Sequence, residues 1–313
     1  MKKLFLNKHG AIRSGWVILM CLTAFNLANY ALTEGVIIIL RAVLSATGDI
    51  DPVTGAFSPL VDWMNQAFLP IALQILMEII MIAAALLTWK ILRRKWADMG
   101  LQRFRALFPR DGVAGMALGV AFCTTIFVIL LLSGSAVVTG GPLLPSPAWL
   151  WWILVFVLVG IGEEVMYRGL VMSALRQTNN VLLILVVPSV AFGLIHLNNP
   201  GLTYLSILNI ILFGIAFSWM YYRSGNLWMC IGYHITWNIF QSFVYGMPVS
   251  GLTYIDSILV TEYPTGNLLN GGAFGIEGGL LTTASVLALF AFIELYYRKS
   301  KYRFLSPEGP ATK

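Results

Sequence analysis

The fold is decided by residues 150–169, which read LWWILVFVLVGIGEEVMYRG. An uncharged and largely apolar run leads directly into two adjacent glutamates, Glu163 and Glu164. An ionisable group at membrane depth costs at least about 2.5–3.5 kcal/mol on insertion scales, and two like charges side by side repel each other as well. The stretch therefore predicts a membrane helix that carries a functional site.

The composition of the whole chain favours the same class of protein. Of its 313 residues, 58% are hydrophobic and 11% are charged, and the mean hydropathy is +0.80. A soluble domain has about 25% charged residues, so the sequence predicts an integral membrane protein. The three cysteines, Cys21, Cys123 and Cys230, all lie in apolar segments and indicate neither a disulfide framework nor a metal-binding knuckle.

Eight apolar runs are long enough to cross a bilayer core of about 30 Å as helices. They lack the period-two alternation of membrane strands, so we predict an all-α, polytopic bundle of about eight transmembrane helices. The predicted spans are about 16–44, 67–89, 112–133, 148–165 (continuing as helix to 176), 181–197, 203–222, 226–246 and 279–297.

The net charge of +6 raises the question of nucleic-acid binding, but its distribution argues against that function. With these spans, every Lys and Arg except Arg41 falls on one side of the membrane, including the basic segment 90–111. The opposite loops carry acidic residues only. This distribution predicts that both termini are cytoplasmic and that the basic residues face the lipid surface.

The chain divides into three predicted regions. Residues 1–147 form an N-terminal three-span membrane region with connecting loops, and residues 148–246 hold nearly all the unusual polar side chains. Residues 247–313 comprise an outer loop, the last transmembrane helix and a basic cytoplasmic tail.

The two glutamates are predicted to have different roles. Glu164 and Arg168 are four residues apart on a helix, so they can pair. Glu163 points about 100° away from Glu164 and can face a cavity instead. The alternative is that both are interfacial charges at the cytoplasmic end of a short span.

Two further spans carry the remaining polar candidates. His196 ends the fifth span, and His234 and Asn238 share one face of the seventh. A single histidine in a membrane helix often does no more than hydrogen-bond to a neighbouring helix. That structural role is the alternative for His196 and for His234. For Glu34 and Glu78 we expect interhelical hydrogen bonds. Several glycines would let the polar helices approach closely, namely Gly160, Gly162, Gly169, Gly193 and Gly232.

At these residues the chain resembles the CAAX-protease and bacteriocin-processing family of intramembrane proteases, also called the ABI family, which includes the type 2 CAAX prenyl endopeptidases. The motifs are Glu-Glu-x-x-x-Arg at 163–168, Phe-x-x-x-His at 192–196 and His-x-x-x-Asn at 234–238, in this order on successive spans. A weaker similarity is Met-Gly-Leu at 99–101, where members often have Leu-Gly-Leu.

The resemblance implies hydrolysis of a peptide bond within the membrane and makes 148–246 the catalytic core. It implies that Glu163 and His196 activate a water, while His234 and Asn238 stabilise the oxyanion. Glu164 would pair with Arg168 and hold the helix. The implied substrate is a membrane-associated protein or peptide; eukaryotic members cut prenylated C-terminal CAAX tails.

A metalloprotease interpretation competes, because the family is often described in that way. Zinc would be held by Glu163, His196 and His234, although the chain lacks a His-Glu-x-x-His helix. Both mechanisms require His196 to lie near Glu163, and the predicted spans do not place the two residues together. His196 lies near the outer end of its span, more than about 10 Å along the helix axis from Glu163. The site closes only if residues 198–201 dip into the bundle or the fifth span is displaced.

Two other functional classes stay open at this point. One is a proton-coupled transporter, in which the glutamates and histidines relay protons. The other is a non-catalytic immunity or scaffold protein on the same fold. The short loops lead us to expect a multi-pass protein of a prokaryotic plasma membrane. The sequence does not indicate an oligomeric state.

Overall fold

The structure is a computed structural model that describes residues 2–7, 10–49, 69–141, 148–253 and 257–305. Residues 45–66, between the first two predicted spans, lie mostly outside the described residues, and the predicted boundary at residue 147 also lies outside them. Eight helices of eleven residues or more dominate the described chain, and each overlaps one predicted span. They are α1 (Ser14–Thr47), α2 (Leu69–Ile91), α3 (Val113–Leu132), α4 (Ala148–Glu164), α5 (Val181–Leu194), α6 (Tyr204–Ser224), α7 (Trp228–Asn238) and α8 (Leu280–Tyr296).

Shorter elements connect these helices. Two stretches of wider, π-helical turns continue α4 and α7, and two short strands form an antiparallel pair. The π-helical stretches are Val165–Met172 and Ile239–Val244, and the strands are β1 (Val137–Gly140) and β2 (Val260–Glu262). The remaining helical turns are Lys2–Phe5, Trp96–Met99, Phe104–Leu107, Phe108–Gly112, Ser173–Leu175, Arg176–Thr178, Gly272–Phe274 and Ile276–Gly278.

Within the described ranges, five helical segments are long and apolar enough to cross a membrane, so the chain is an integral membrane protein. They are Ser14–Thr47, Leu69–Ile91, Trp96–Leu132, Trp149–Thr178 and Tyr204–Ser224. The prediction that all eight spans have this length is wrong for α5, α7 and α8. Helix α5 has 14 residues and is therefore about 21 Å long. It ends at Leu194 because the chain turns there, before His196.

Helix α1 lies at the edge of the bundle. Among its 34 residues only Ser14, Val17, Cys21 and Leu44 are buried. The apolar side chains that it leaves exposed suit a lipid environment, where apolar surface carries no penalty. Glu34 is also exposed, and it makes no interhelical hydrogen bond with another described residue, contrary to the expectation.

Glycines bring the central helices into close contact. A methyl group added to Gly115 or Gly119 of α3 would meet backbone oxygens of Met229 or Tyr233 in α7, at 2.1 and 2.6 Å. Gly160 of α4 faces α7 in the same way. The predicted role of glycine at helix contacts therefore holds for these helices, and it allows polar side chains of α4 and α7 to meet.

The two π-helical stretches each begin immediately after a buried polar residue of the predicted site. The first follows Glu164, and all eight of its residues are buried; the second follows Asn238. A π-helical turn adds a residue to the turn and often occurs at functional sites. Here each one continues its helix directly after a buried polar residue.

The glycine-rich segment between β2 and α8 packs back against the helices. The side-chain amide of Asn209 in α6 donates to the backbone oxygens of Glu277 and Gly279, at 2.8 and 2.9 Å. Asn270 is fully buried and donates to Ser135 O at 2.8 Å. These bonds hold the predicted outer loop down on the bundle.

We expect Gly232→Ala to destabilise the protein, because the added methyl would lie 2.3 Å from the backbone oxygen of Gly112. Overpacking of this kind costs about 1–3 kcal/mol. The measurement is the midpoint of thermal unfolding in detergent. Gly35→Ala is the matched control, since nothing lies within 4 Å of its added methyl. Equal midpoints for the two variants would contradict the close packing of α7.

Candidate active site

Glu164 is the buried centre of the polar cluster. Its side chain is fully buried, at the last position of α4. Its Oε1 accepts from Nη1 of Arg168 at 2.9 Å, as the four-residue spacing predicts. The same Oε1 lies 3.0 Å from Nδ1 of His234. One carboxylate oxygen therefore ties α4 to α7.

Arg168 is fully buried and held from several sides. Its guanidinium lies 4.5 Å from the ring centroid of Phe192 and 5.4 Å from that of Phe217. Its Nε and Nη2 have no hydrogen-bond partner among the described residues. The aromatic faces attract the cation in place of such partners. Arg168 thus serves as the counter-charge of Glu164 inside the bundle.

His234 lies between the two glutamates. Its Nδ1 faces Glu164, and its Nε2 is 3.6 Å from Oε2 of Glu163. Because Oε1 of Glu164 already accepts from Arg168, the ring is the donor in the Glu164 contact. This hydrogen bond fixes the orientation of the ring and directs Nε2 toward Glu163.

His196 lies two residues beyond the end of α5. Its Nδ1 is 2.9 Å from the backbone oxygen of Phe192, which is one helical turn earlier. The turn that follows is tucked against the outer segments: Asn199 Nδ2 donates to Ser250 O at 2.8 Å. A methyl on Gly201 would lie 2.8 Å from Ala273. Residues 198–201 are therefore packed against the outer segments.

Glu163, His196, His234 and Asn238 all line one cavity of about 500 Å³. Glu163 is 9% exposed and Asn238 is 4% exposed. Glu164 and Arg168 do not line the cavity; they lie behind His234. All four of these residues therefore line one cavity, whereas Glu164, which contacts His234 directly, lies outside its lining. Such a volume is sufficient for a short extended segment of substrate.

Sequence reasoning missed Glu277, which also lines this cavity. Its Oε2 accepts from the backbone N–H and the hydroxyl of Ser250, at 2.6 and 2.7 Å, and its Oε1 accepts from Trp237 Nε1 at 3.3 Å. Burial raises the pKa of the Glu277 carboxyl, and these hydrogen bonds act in the opposite direction. The only sequence signal was an acid within a glycine-rich segment.

Glu78 of α2 is a second buried glutamate whose contacts differ from those expected. It is fully buried, and its Oε1 accepts from Gln74 Nε2 at 2.9 Å, within one helix and not between helices as expected. Its Oε2 would lie 2.4 Å from a methyl on Gly162, and it has no hydrogen-bond partner among the described residues. Gly162 thus leaves space for a third buried carboxyl beside Glu163. The Gln74–Glu78 spacing within an apolar helix was the available signal.

Residues 145–240 match the family model of type II CAAX prenyl endopeptidase Rce1-like proteins. This Rce1-like segment is thus similar to that family. It contains all three polar motifs, so the resemblance that they predicted is confirmed over these residues. The Met-Gly-Leu at 99–101 lies outside the match. No curated protein and no solved structure matches the chain.

The zinc set predicted for the Rce1-like segment does not fit the side-chain arrangement. Glu163 and His234 lie together, but His196 does not complete a set with them. Within the described ranges, no group of three or more His, Cys, Asp or Glu side chains is placed to hold a metal ion. The hydrogen bond to Phe192 holds the His196 ring at the end of α5.

We expect Arg168→Met to lower the free energy of unfolding by about 3–5 kcal/mol, because it leaves Glu164 buried without its counter-charge. The measurement is denaturant unfolding in detergent. The matched control is Arg223→Met, which breaks the exposed pair with Glu294 and is expected to cost about 0–1 kcal/mol.

A second substitution tests whether the unpaired charge of Glu164 causes the loss of stability. Adding Glu164→Gln to Arg168→Met removes the unpaired charge, so the double variant is expected to be more stable than Arg168→Met alone. An Arg168→Met variant as stable as the Arg223→Met control would contradict the pairing.

Proposed function

We propose that the protein is an intramembrane endopeptidase that hydrolyses a peptide bond of a membrane-associated protein or peptide. The observation that supports this most directly is that Glu163, His196, His234 and Asn238 line one cavity between membrane helices. All four lie within the Rce1-like segment. That segment makes CAAX-type processing the first reaction to test.

In the proposed mechanism, Glu163 accepts a proton from a water held against Glu163 and His196. The resulting hydroxide attacks the carbonyl carbon of the scissile bond and gives a tetrahedral oxyanion. The bond between carbon and nitrogen then breaks, and Glu163 returns the proton to the departing amine. A positioned base typically contributes about 10²–10⁴-fold to such a step.

Asn238 and His234 stabilise the oxyanion in this proposal. The Asn238 amide can donate without any change of protonation. His234 donates to Glu164 through Nδ1, so it must also carry a proton on Nε2 to donate to the oxyanion. Each donor in a water-poor site is worth about 2.7–4 kcal/mol of transition-state stabilisation. The 3.6 Å between His234 Nε2 and Glu163 Oε2 keeps the base beside the oxyanion donor.

Glu164 and Arg168 are positioning residues. Glu164 fixes the His234 ring, and Arg168 neutralises Glu164 in the bundle interior. We also propose that both termini are cytoplasmic, because the basic residues concentrate on the side of the termini. The short loops favour the plasma membrane of a prokaryote.

Two other functions give different results in the same experiments. A proton-coupled transporter would move a solute in vesicles and would leave peptides intact. A non-catalytic immunity or scaffold protein would retain its effect in cells after Glu163→Ala. Neither is favoured by a specific contact of the described residues.

We expect Glu163→Ala, His234→Ala and Asn238→Ala each to lower kcat/KM at least about 100-fold, because each removes a base or a donor. The measurement is cleavage of a fluorogenic peptide library by purified protein in detergent. Glu262→Ala is the matched control, since this glutamate is exposed on β2, and it should retain activity. Thermal unfolding shows whether the inactive variants are folded. Equal cleavage by wild type and by folded Glu163→Ala would reject the proposal.

We further expect activity to survive removal of metal ions, because the proposed base is Glu163 and no group of three His, Cys, Asp or Glu side chains in the described ranges is placed to hold a metal ion. The protein is dialysed against a chelator and its metal content measured before the cleavage assay. Activity within about twofold of the untreated enzyme is the expected result. Loss of cleavage that returns on addition of Zn²⁺ alone would show that the mechanism above is wrong.

A further inference from the structure

Three side-chain amides line the active-site cavity from outside the Rce1-like segment. They are Asn26 and Asn29 of α1 and Gln74 of α2, whereas the matched segment covers residues 145–240. Asn26 and Asn29 are three residues apart, so they lie on one face of α1. None of these three residues, called here the α1–α2 amides, has a part in the chemical step proposed above.

The two asparagines lie at a depth where polar groups are costly. Arg13 immediately precedes α1, which indicates that this helix starts near the membrane surface. With a rise of 1.5 Å per residue, Asn26 and Asn29 lie about 18 and 22 Å along the helix from Ser14. Both positions fall within a hydrocarbon core of about 30 Å. Polar side chains at such depth are rare and typically face a functional cavity.

The hydrogen-bonding capacity of these amides is mostly unused within the described chain. Asn29 makes no side-chain hydrogen bond with another described residue. Asn26 donates from Nδ2 to the backbone oxygen of Leu22 at 2.7 Å, and Gln74 donates from Nε2 to Oε1 of Glu78 at 2.9 Å. The side-chain oxygens of Asn26 and Gln74 accept nothing from the described residues. Each of the three amides therefore offers an acceptor to a molecule in the cavity.

The groups that match these acceptors are the N–H groups of a peptide backbone. A helical substrate bonds its backbone groups within itself, whereas an extended segment in a water-poor site leaves them unpaired. A hydrocarbon chain at this wall of the cavity would leave the protein amides without partners, which is costly for buried polar groups. The chemistry of this wall therefore favours an extended peptide segment.

Apolar side chains surround the α1–α2 amides. Phe25 of α1 and Met77 and Met81 of α2 line the same cavity. Methionine is unbranched and flexible, so it packs against side chains of different shapes. A wall that combines backbone acceptors with adaptable apolar groups recognises the conformation of a chain more than its side-chain sequence.

We propose that Asn26, Asn29 and Gln74 bind the backbone N–H groups of an extended substrate segment beside the scissile bond. This subsite requires free N–H groups in the substrate and tolerates varied apolar side chains. The inference rests on the proposed peptidase function and adds the conformation and chemical class of its substrate. A C-terminal tail of the CAAX type meets the requirement when it is bound in an extended form.

The first test separates binding from chemistry. Asn26→Leu and Asn29→Leu are each expected to raise KM about threefold to tenfold and to leave kcat unchanged in the peptide-cleavage assay. A contact away from the scissile bond is made equally in the bound state and the transition state, and one neutral hydrogen bond has about this worth. Gln74 is not substituted, because it also bonds Glu78.

Two further variants are the controls. Thr23→Leu also replaces a polar residue of α1, but Thr23 is exposed and does not line the cavity, so its KM should equal that of wild type. Asn29→Gln keeps a side-chain amide and should restore most of the lost affinity. An unchanged KM in both asparagine-to-leucine variants, or a reduced kcat with unchanged KM, overturns the inference.

The second test identifies the bound backbone group by a double-mutant cycle. In a peptide series, an ester oxygen replaces one backbone N–H at a time within four residues of the scissile bond. At least one replacement is expected to weaken binding to the wild-type cavity about threefold to tenfold. The same replacement should cost less than about twofold in Asn26→Leu or Asn29→Leu, and it should cost the full amount in Thr23→Leu. Equal losses in all of these proteins overturn the inference.

The affinities are measured without cleavage, which separates this inference from the peptidase proposal. Every protein in the cycle also carries Glu163→Ala, and fluorescence anisotropy of labelled peptides gives Kd. If the wild type cuts no peptide but the cycle shows the expected coupling, the peptidase proposal fails and the backbone-binding subsite stands. If the wild type cuts peptides and the cycle shows no coupling, the subsite is rejected and the peptidase proposal stands. No binding of any peptide rejects the subsite.

Discussion

A buried positive charge in a membrane bundle needs a buried negative charge beside it, and the pairing of Arg168 with Glu164 meets that need. Removing either charge from water costs several kcal/mol, which their attraction repays only with good geometry and further contacts. Those contacts come from His234 on one side and the rings of Phe192 and Phe217 on the other. The pair therefore requires α4, α5, α6 and α7 to converge at one depth.

Close helix approach is the condition for that convergence. Glycines of α3 and α4 place α7 near enough for His234 to reach Glu164. π-helical turns continue α4 after Glu164 and α7 after Asn238, so both helices extend beyond these polar residues. Apolar packing positions the helices in lipid only weakly, because lipid tails are as apolar as the side chains. The polar contacts and the small residues therefore determine the arrangement.

The sequence predicted the eight helices well because hydropathy over about twenty residues is a local property. It predicted the pairing of Glu164 with Arg168 for the same reason, since the two are one turn apart. It did not predict that Glu164 also contacts His234, because that bond joins residues on different helices. The length of α5 was missed as well. Its end at Leu194 is followed by a turn in which Asn199 bonds Ser250 of a distant outer segment, a contact that no local pattern specifies.

Glu277 is the clearest example of a cavity residue that the local sequence pattern could not predict. Its partners Ser250 and Trp237 come from an outer turn and from α7, and Asn209 of α6 holds its backbone. Nothing in its glycine-rich neighbourhood marks it as part of a cavity. Yet it lines the same cavity as Glu163 and His234. Its place in that lining follows from contacts among α6, α7 and two outer turns, which no local pattern of residues specifies.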